Sequence, residues 1–179
     1  TFVLLYLNGL FWGLYNLVER ADHAYQASYF GGNEDDYYSG KKKGGTIRGS
    51  RAAYTSLHRS SARLRIDQVS AQLDVVSYID QALLASYAAI GDYPQYYYGN
   101  RLTPVGPIRY FVWDAEDSWG GGSTRTGPCD VSHKCKDART NNPQLDRLGW
   151  TESFWKLWGG TAGFRQLWID RAYYHLAIP

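Results

Sequence analysis

The chain has 179 residues, a net charge of +2 and 44% hydrophobic residues. That length suffices for one domain with its own core, or two small lobes sharing one; the apolar content excludes a disordered chain, and the near-neutral charge gives no electrostatic case for nucleic acid or an anionic membrane as partner. No apolar run reaches the ~18 residues of a membrane span, and the first residues lack the basic start and cleavage site of a signal peptide.

The chain starts without Met inside what reads as a strand, so an excised domain or fragment is expected. Residues Thr1 to Val18 predict a β-hairpin: FVLLYL and LFWGLYNLV flank Asn8-Gly9, the dipeptide that most readily takes positive φ at both centres of a type I′ turn. Both arms are apolar at nearly every position, which predicts a ribbon covered on both faces. Gly13 marks a bulge or the close approach of a ligand. Glu19-Arg20-Ala21-Asp22 ends the hairpin with charge, either as a solvated strand end or with Glu19 paired to a cation. Gly31-Gly32-Asn33 then breaks the chain ahead of EDDYY.

Between Lys41 and Ile66 there are eight Lys or Arg and no Asp or Glu. The opening, KKKGGTIRGS, is a Gly-rich basic loop or loose strand, facing either an anion or solvent; it lacks the Walker ending of a P-loop. RAAYTSLHRSSARLR fits an amphipathic helix with Tyr54, Leu57 and Leu64 inward. Asp74 reads as the N-cap of a helix over VVSYIDQALLASYAAI, with Val76, Ile79, Leu83, Tyr87 and Ile90 as its apolar face and Gly91 as its stop. Asp92 follows directly. Ile108 to Trp113 predicts a strand, bounded by Pro107 and by Asp114, Glu116 and Asp117. Acids on the loop before a strand and at its end either frame one metal or one reacting hydroxyl, or are solvated turn acids.

SWGGGSTRTGP reads as loop. The two cysteines, Cys129 and Cys135 around His133, fit a disulfide, two free thiols or part of a zinc site that lacks a regularly spaced fourth ligand. NNPQLDRLGWTESFWKLWGG and FRQLWIDRAYYHL predict helices, packing through Trp155, Leu157 and Trp158, then Phe164, Leu167, Trp168 and Tyr173 or Tyr174. Strands come first and helices later, so the fold class is α+β with helices in the C-terminal part. The 16 Tyr and 7 Trp can pack a core or line a binding face.

Five segments together resemble the CotH kinase family, the spore-coat-protein-H type of atypical protein kinase: YLNGLFWGLYNLVERAD, FGGNEDDYYSGK, GDYPQYYY, YFVWDAE and FRQLWIDRAYYHL. The resemblance runs through nearly the whole chain in the family's order, and the NG-x-x-WG-x-YN-x-x-ER and WDAE blocks are its specific parts. It implies a single domain over residues 1–179 with a reduced protein-kinase-like fold, a β-rich N-terminal lobe to about residue 66 and a helical C-terminal lobe beyond. It also implies ATP-dependent phosphoryl transfer to Ser/Thr of a protein substrate, with Mg²⁺ or Mn²⁺.

By the same resemblance Asp92 is the catalytic-loop acid, Asp114 the metal-binding acid aided by Glu116, Lys41 the phosphate-contacting cation, and Glu19 the acid of the Glu-Arg pair. With the cysteine pair, it favours an extracellular, cell-surface or spore-coat setting. Phosphoryl transfer fits these residue types, since it needs positioning and charge neutralisation more than covalent help. The chain departs from the pattern at Tyr97, which stands five residues after Asp92 where kinases carry a metal-binding Asn. A neutral phenol is a poor Mg²⁺ ligand, so the alternative is a catalytically weak pseudokinase or a surface binding module on the same fold.

Overall fold

The computed structural model describes residues 1–41, 45–60, 65–87, 96–113 and 161–177. The fold class is α+β, as the order of segments predicts. The hairpin forms at the expected place. Strands β1 (Phe2–Leu7) and β2 (Leu10–Asn16) pair antiparallel, and Asn8 and Gly9 carry φ of 50° and 80°. The register slips between Leu5 and Tyr6, so Trp12 is the extra residue and Gly13, at φ 146°, lies in a bulge. The expected cover on both faces is overturned. Phe2, Leu4, Leu10, Phe11, Trp12 and Leu14 stay exposed, because the body of the molecule packs around a different sheet.

That sheet has four antiparallel strands in the order β4-β3-β5-β6: β3 (Tyr37–Lys41), β4 (Gly45–Arg48), β5 (Tyr96–Arg101) and β6 (Arg109–Val112). It takes two strands from either side of the expected lobe boundary near residue 66. Its two faces follow from the register, because directly paired residues share a face. Tyr38, Tyr98 and Tyr110 point one way, and Lys41, Tyr97 and Phe111 the other.

The first face carries the core. Helices α2 (Ala52–Ser60), α3 (Ile66–Ser70), α4 (Val75–Tyr87) and α5 (Ala162–Leu176) supply Tyr54, Leu57, Val69, Val75, Tyr78, Ile79 and Phe164 against it. Tyr54 stacks on Tyr98 at 4.4 Å, Tyr98 on Tyr110 at 5.7 Å, and Tyr78 meets Tyr110 edge-on at 5.3 Å. Each such pair adds about 0.5–1.5 kcal/mol beyond the area it buries. Much of the tyrosine surplus is therefore core. Burial raises the Tyr98 phenol far above its ordinary range, keeping it neutral at any physiological pH.

Asp74 caps α4 as its position predicts, accepting from the Ser77 amide at 3.1 Å. The buried face of α4 is Val75, Tyr78, Ile79 and Ala82. Of the predicted stripe, Ile79 is buried and Leu83 half-buried, whereas Val76 and Tyr87 are exposed and Ile90 lies outside the described residues. The correction is a rotation of about 100° per residue step: a helix apolar on much of its circumference is oriented by what it packs against, not by its own pattern. On α5, Phe164 is fully buried and Leu167 and Trp168 pack on the core, while Tyr173 and Tyr174 are exposed, against expectation. Helices are also not confined to the later chain. Helix α1 (His23–Phe30) stands between β2 and β3 and covers the sheet's second face. The expected segment 141–160 and Leu64 lie outside the described residues.

Candidate functional site

Helix α1 starts where Asp22 caps it, accepting from the amides of Ala24 at 3.0 Å and Tyr25 at 3.4 Å, and stops at Gly31. Its buried Gln26 donates Nε2 to the Tyr38 carbonyl at 3.2 Å, crossing the sheet where Gly99 has no side chain. Tyr25 and Phe30 then reach Phe111 of β6. A row of Lys41, Tyr97 and Phe111 therefore runs across three strands beneath α1 and the chain that leaves the hairpin.

Glu19 and Arg20 approach this row from above. Arg20 Nε donates to Tyr97 Oη at 2.9 Å, and its guanidinium lies 5.7 Å from the Tyr97 ring centre. Trp113 meets the other side of Tyr97 edge-on at 5.0 Å. The phenol is only 4% exposed. It is thus a packed strut that ties the Glu-Arg segment to β5. Glu19 accepts from Tyr29 Oη at 2.6 Å; that hydrogen bond, with the carboxylate's charge, raises the Tyr29 phenol above its ordinary value.

Glu19 also lines a cleft of about 470 Å³ along the outer edge of β6. Its opposite wall is α4, with Ser77, Asp80 and the buried Gln81. Asp80 holds Arg171 of α5 through two bonds, of 2.7 and 2.5 Å, and lies 3.2 Å from His175 Nε2. Those bonds, led by the hydrogen bond to Asp80, raise the Arg171 guanidinium above its already high value.

Lys41 ends β3, paired with Tyr97 on one side and Gly45 on the other. It is exposed and, among the described residues, pairs with no carboxylate. Glu19 and Lys41 are not ion-paired; they flank opposite ends of the Tyr97 row, with Lys41 about 10 Å from β6 across two strand spacings. Asp92, Asp114 and Glu116 lie outside the described residues, as do Cys129, His133 and Cys135. What the described strands fix is where the chain comes and goes. Tyr96, four residues after Asp92, pairs with Val112, two residues before Asp114, and Lys41 ends its strand at this same edge of the sheet.

Sequence reasoning missed Arg20 as the partner of Tyr97, Tyr29 as the partner of Glu19, and Asp80 as the anchor of α5. Asp22 and Gly31, a start and stop with the eight residues of α1 between them, were the signal for the helix that carries Tyr29. No helix among the described residues is long and apolar enough to cross a membrane. Among those residues no group of three or more His, Cys, Asp or Glu comes together as a metal site.

A family model described as CotH kinase protein matches residues 1–177 of the chain. No curated protein and no solved structure gives a significant match.

Proposed function

The chain belongs to the CotH kinase family, and we propose that it is an ATP-dependent protein kinase transferring the γ-phosphoryl group to Ser/Thr hydroxyls of a protein substrate. One observation carries this reading: the ends of β3, β5 and β6 that adjoin Lys41, Asp92 and Asp114 in sequence converge on one edge of the sheet. That three strands leading to segments far apart along the chain share one end supports a site built from those segments, as phosphotransfer requires. The exposed ammonium of Lys41, which pairs with no carboxylate among the described residues, suits a phosphate ligand.

In this reading ATP supplies the phosphoryl group and Mg²⁺ neutralises its charge. Asp92 orients the attacking hydroxyl and accepts its proton. Asp114, aided by Glu116, holds the metal. Lys41 braces the phosphates, and Glu19 and Arg20 fix the segment above Tyr97. The phenol of Tyr97, buried and engaged by Arg20, is unsuited to the second metal position, so the metal set is reduced to the Asp114–Glu116 side.

Transfer of label from ATP to proteins tests this reading, with Mg²⁺ or Mn²⁺ and a broad substrate panel. Incorporation that depends on Asp92 and Asp114 supports it. No incorporation by the wild-type chain overturns it. The buried Tyr97 favours a second reading, a pseudokinase that binds nucleotide without turnover. Thermal stabilisation by ATP in the absence of any transfer identifies that case.

A further inference from the structure

At the opposite end of the sheet from Lys41, a second cavity of about 330 Å³ is walled by two arginines, Arg101 and Arg109, with Phe30, Val105 and Pro107. Tyr37, which pairs with Arg101, is four residues along β3 from Lys41, so this cavity stands about 13 Å from the candidate phosphate-contacting lysine. Its cations are incompletely used. Arg101 makes no side-chain hydrogen bond among the described residues: Asp36 approaches its Nη2 only to 3.9 Å, and its Nε is shielded from solvent with no partner. Arg109 gives Nε to Asp74 at 3.1 Å and lies over the Phe30 ring at 4.2 Å, leaving its two Nη groups without a protein acceptor among those residues. The other oxygen of Asp74 is turned to the start of α4, where it accepts from the Ser77 amide at 3.1 Å.

A buried N–H without a partner costs about 1–3 kcal/mol. Two guanidiniums with spare donors on one cavity are matched by an oxyanion, which accepts from both forks at once. The wall is also held in place. Asn100 Nδ2 donates to the carbonyls of Arg101 and Gly106, at 2.9 and 3.2 Å, and the Gly106 amide donates back to the Arg101 carbonyl at 2.9 Å. The turn that carries Val105 is thereby fixed against β5. We infer that this cavity binds an oxyanion, a phosphoryl or carboxylate group, carried on an apolar body that lies against Phe30, Val105 and Pro107. A phosphorylated or acidic protein side chain has that chemistry, and free phosphate has the anionic half of it. The site is separate from the nucleotide reading and does not depend on it.

The experiment follows the Arg101 and Arg109 Nε–H resonances of the ¹⁵N-labelled chain, without nucleotide, as phenyl phosphate, inorganic phosphate or benzyl alcohol is added. Phenyl phosphate is expected to shift both resonances saturably, with a dissociation constant of about 1 mM for a ligand of this size. Binding weakens with added salt. Inorganic phosphate, which lacks the apolar body, is expected to bind more weakly, and equal affinity overturns the apolar half of the inference; benzyl alcohol gives no saturable shift. Arg101→Met weakens phenyl phosphate about tenfold or more, and Arg101→Lys retains part of the affinity. Should Arg101→Met fail to fold, Arg109→Met serves the same comparison. No saturable shift of either resonance with either phosphate, or an affinity unchanged in the folded Met variant, overturns the inference and leaves the phosphotransfer reading untouched.

Discussion

Replacing Tyr97 with Phe keeps the ring between Arg20 and Trp113 and removes only the acceptor for Arg20 Nε. A hydrogen bond to a charged donor contributes about 1.5–3 kcal/mol when shielded. The Arg20 side chain is 51% exposed, so screening reduces this to about 1 kcal/mol. For a chain of this size that is a fall of about 2–4 °C in Tm. Tyr97→Asn, the substitution that restores the kinase pattern, is a different perturbation. It empties a site that is 96% buried and costs about 3–5 kcal/mol, a large share of a typical domain's stability. The asparagine variant therefore reports on packing before it reports on metal binding, and its activity is interpretable only at a temperature where it is folded. Urea unfolding of Tyr97→Phe, Arg20→Met and the double variant gives the coupling directly. A coupling near 1 kcal/mol is expected. A value under about 0.3 kcal/mol, the limit of additivity for independent sites, refutes the strut.

Asp92→Asn and Asp114→Asn are each expected to lower transfer of label from ATP by about a hundredfold or more, without altering the melting temperature comparably. Gly99→Ala drives a methyl group into the Tyr38 carbonyl and Gln26, and should destabilise the chain by about 1–3 kcal/mol in chemical denaturation. Asp80→Asn removes the charge that holds Arg171, and about 1–2 kcal/mol is expected to be lost from the packing of α4 on α5, read as a lower urea midpoint. Asp67 has its carboxyl lowered by the hydrogen bond from Arg65. The stabilisation from this pair is present above the ordinary carboxylate range and fades as pH falls through the lowered value. A carboxyl ¹³C titration should place its midpoint below the ordinary one, and Arg65→Met should return it.

Local chemistry was the legible part of this chain. Asn8-Gly9 dictated the hairpin turn, Asp74 the start of α4, and the ring-rich run after Pro107 the strand β6, because each is a short-range preference of the backbone. Orientation was less legible. Val76 and Val75 are the same residue type one step apart, and only the neighbouring sheet decides that Val75 is the buried one. The resemblance singled out Glu19 and Lys41 as candidates but not the distance between them, since strand order determines that and strand order is a long-range property. The Arg20–Tyr97 bond joins residues 77 positions apart and leaves no periodic trace in the sequence. Helix α1 went unpredicted because its one buried side chain besides its apolar contacts is Gln26, which breaks the expected apolar stripe.

The N-terminal ribbon, with leucine, phenylalanine and tryptophan turned to water on both faces, has a practical consequence. Two strands alone offer open edges as well as oily surfaces, the combination from which clumping starts. Purified at high concentration, the chain should form soluble aggregates on a sizing column. Lysine in place of Leu4 and Leu10 should dissolve them while leaving the tyrosine core untouched.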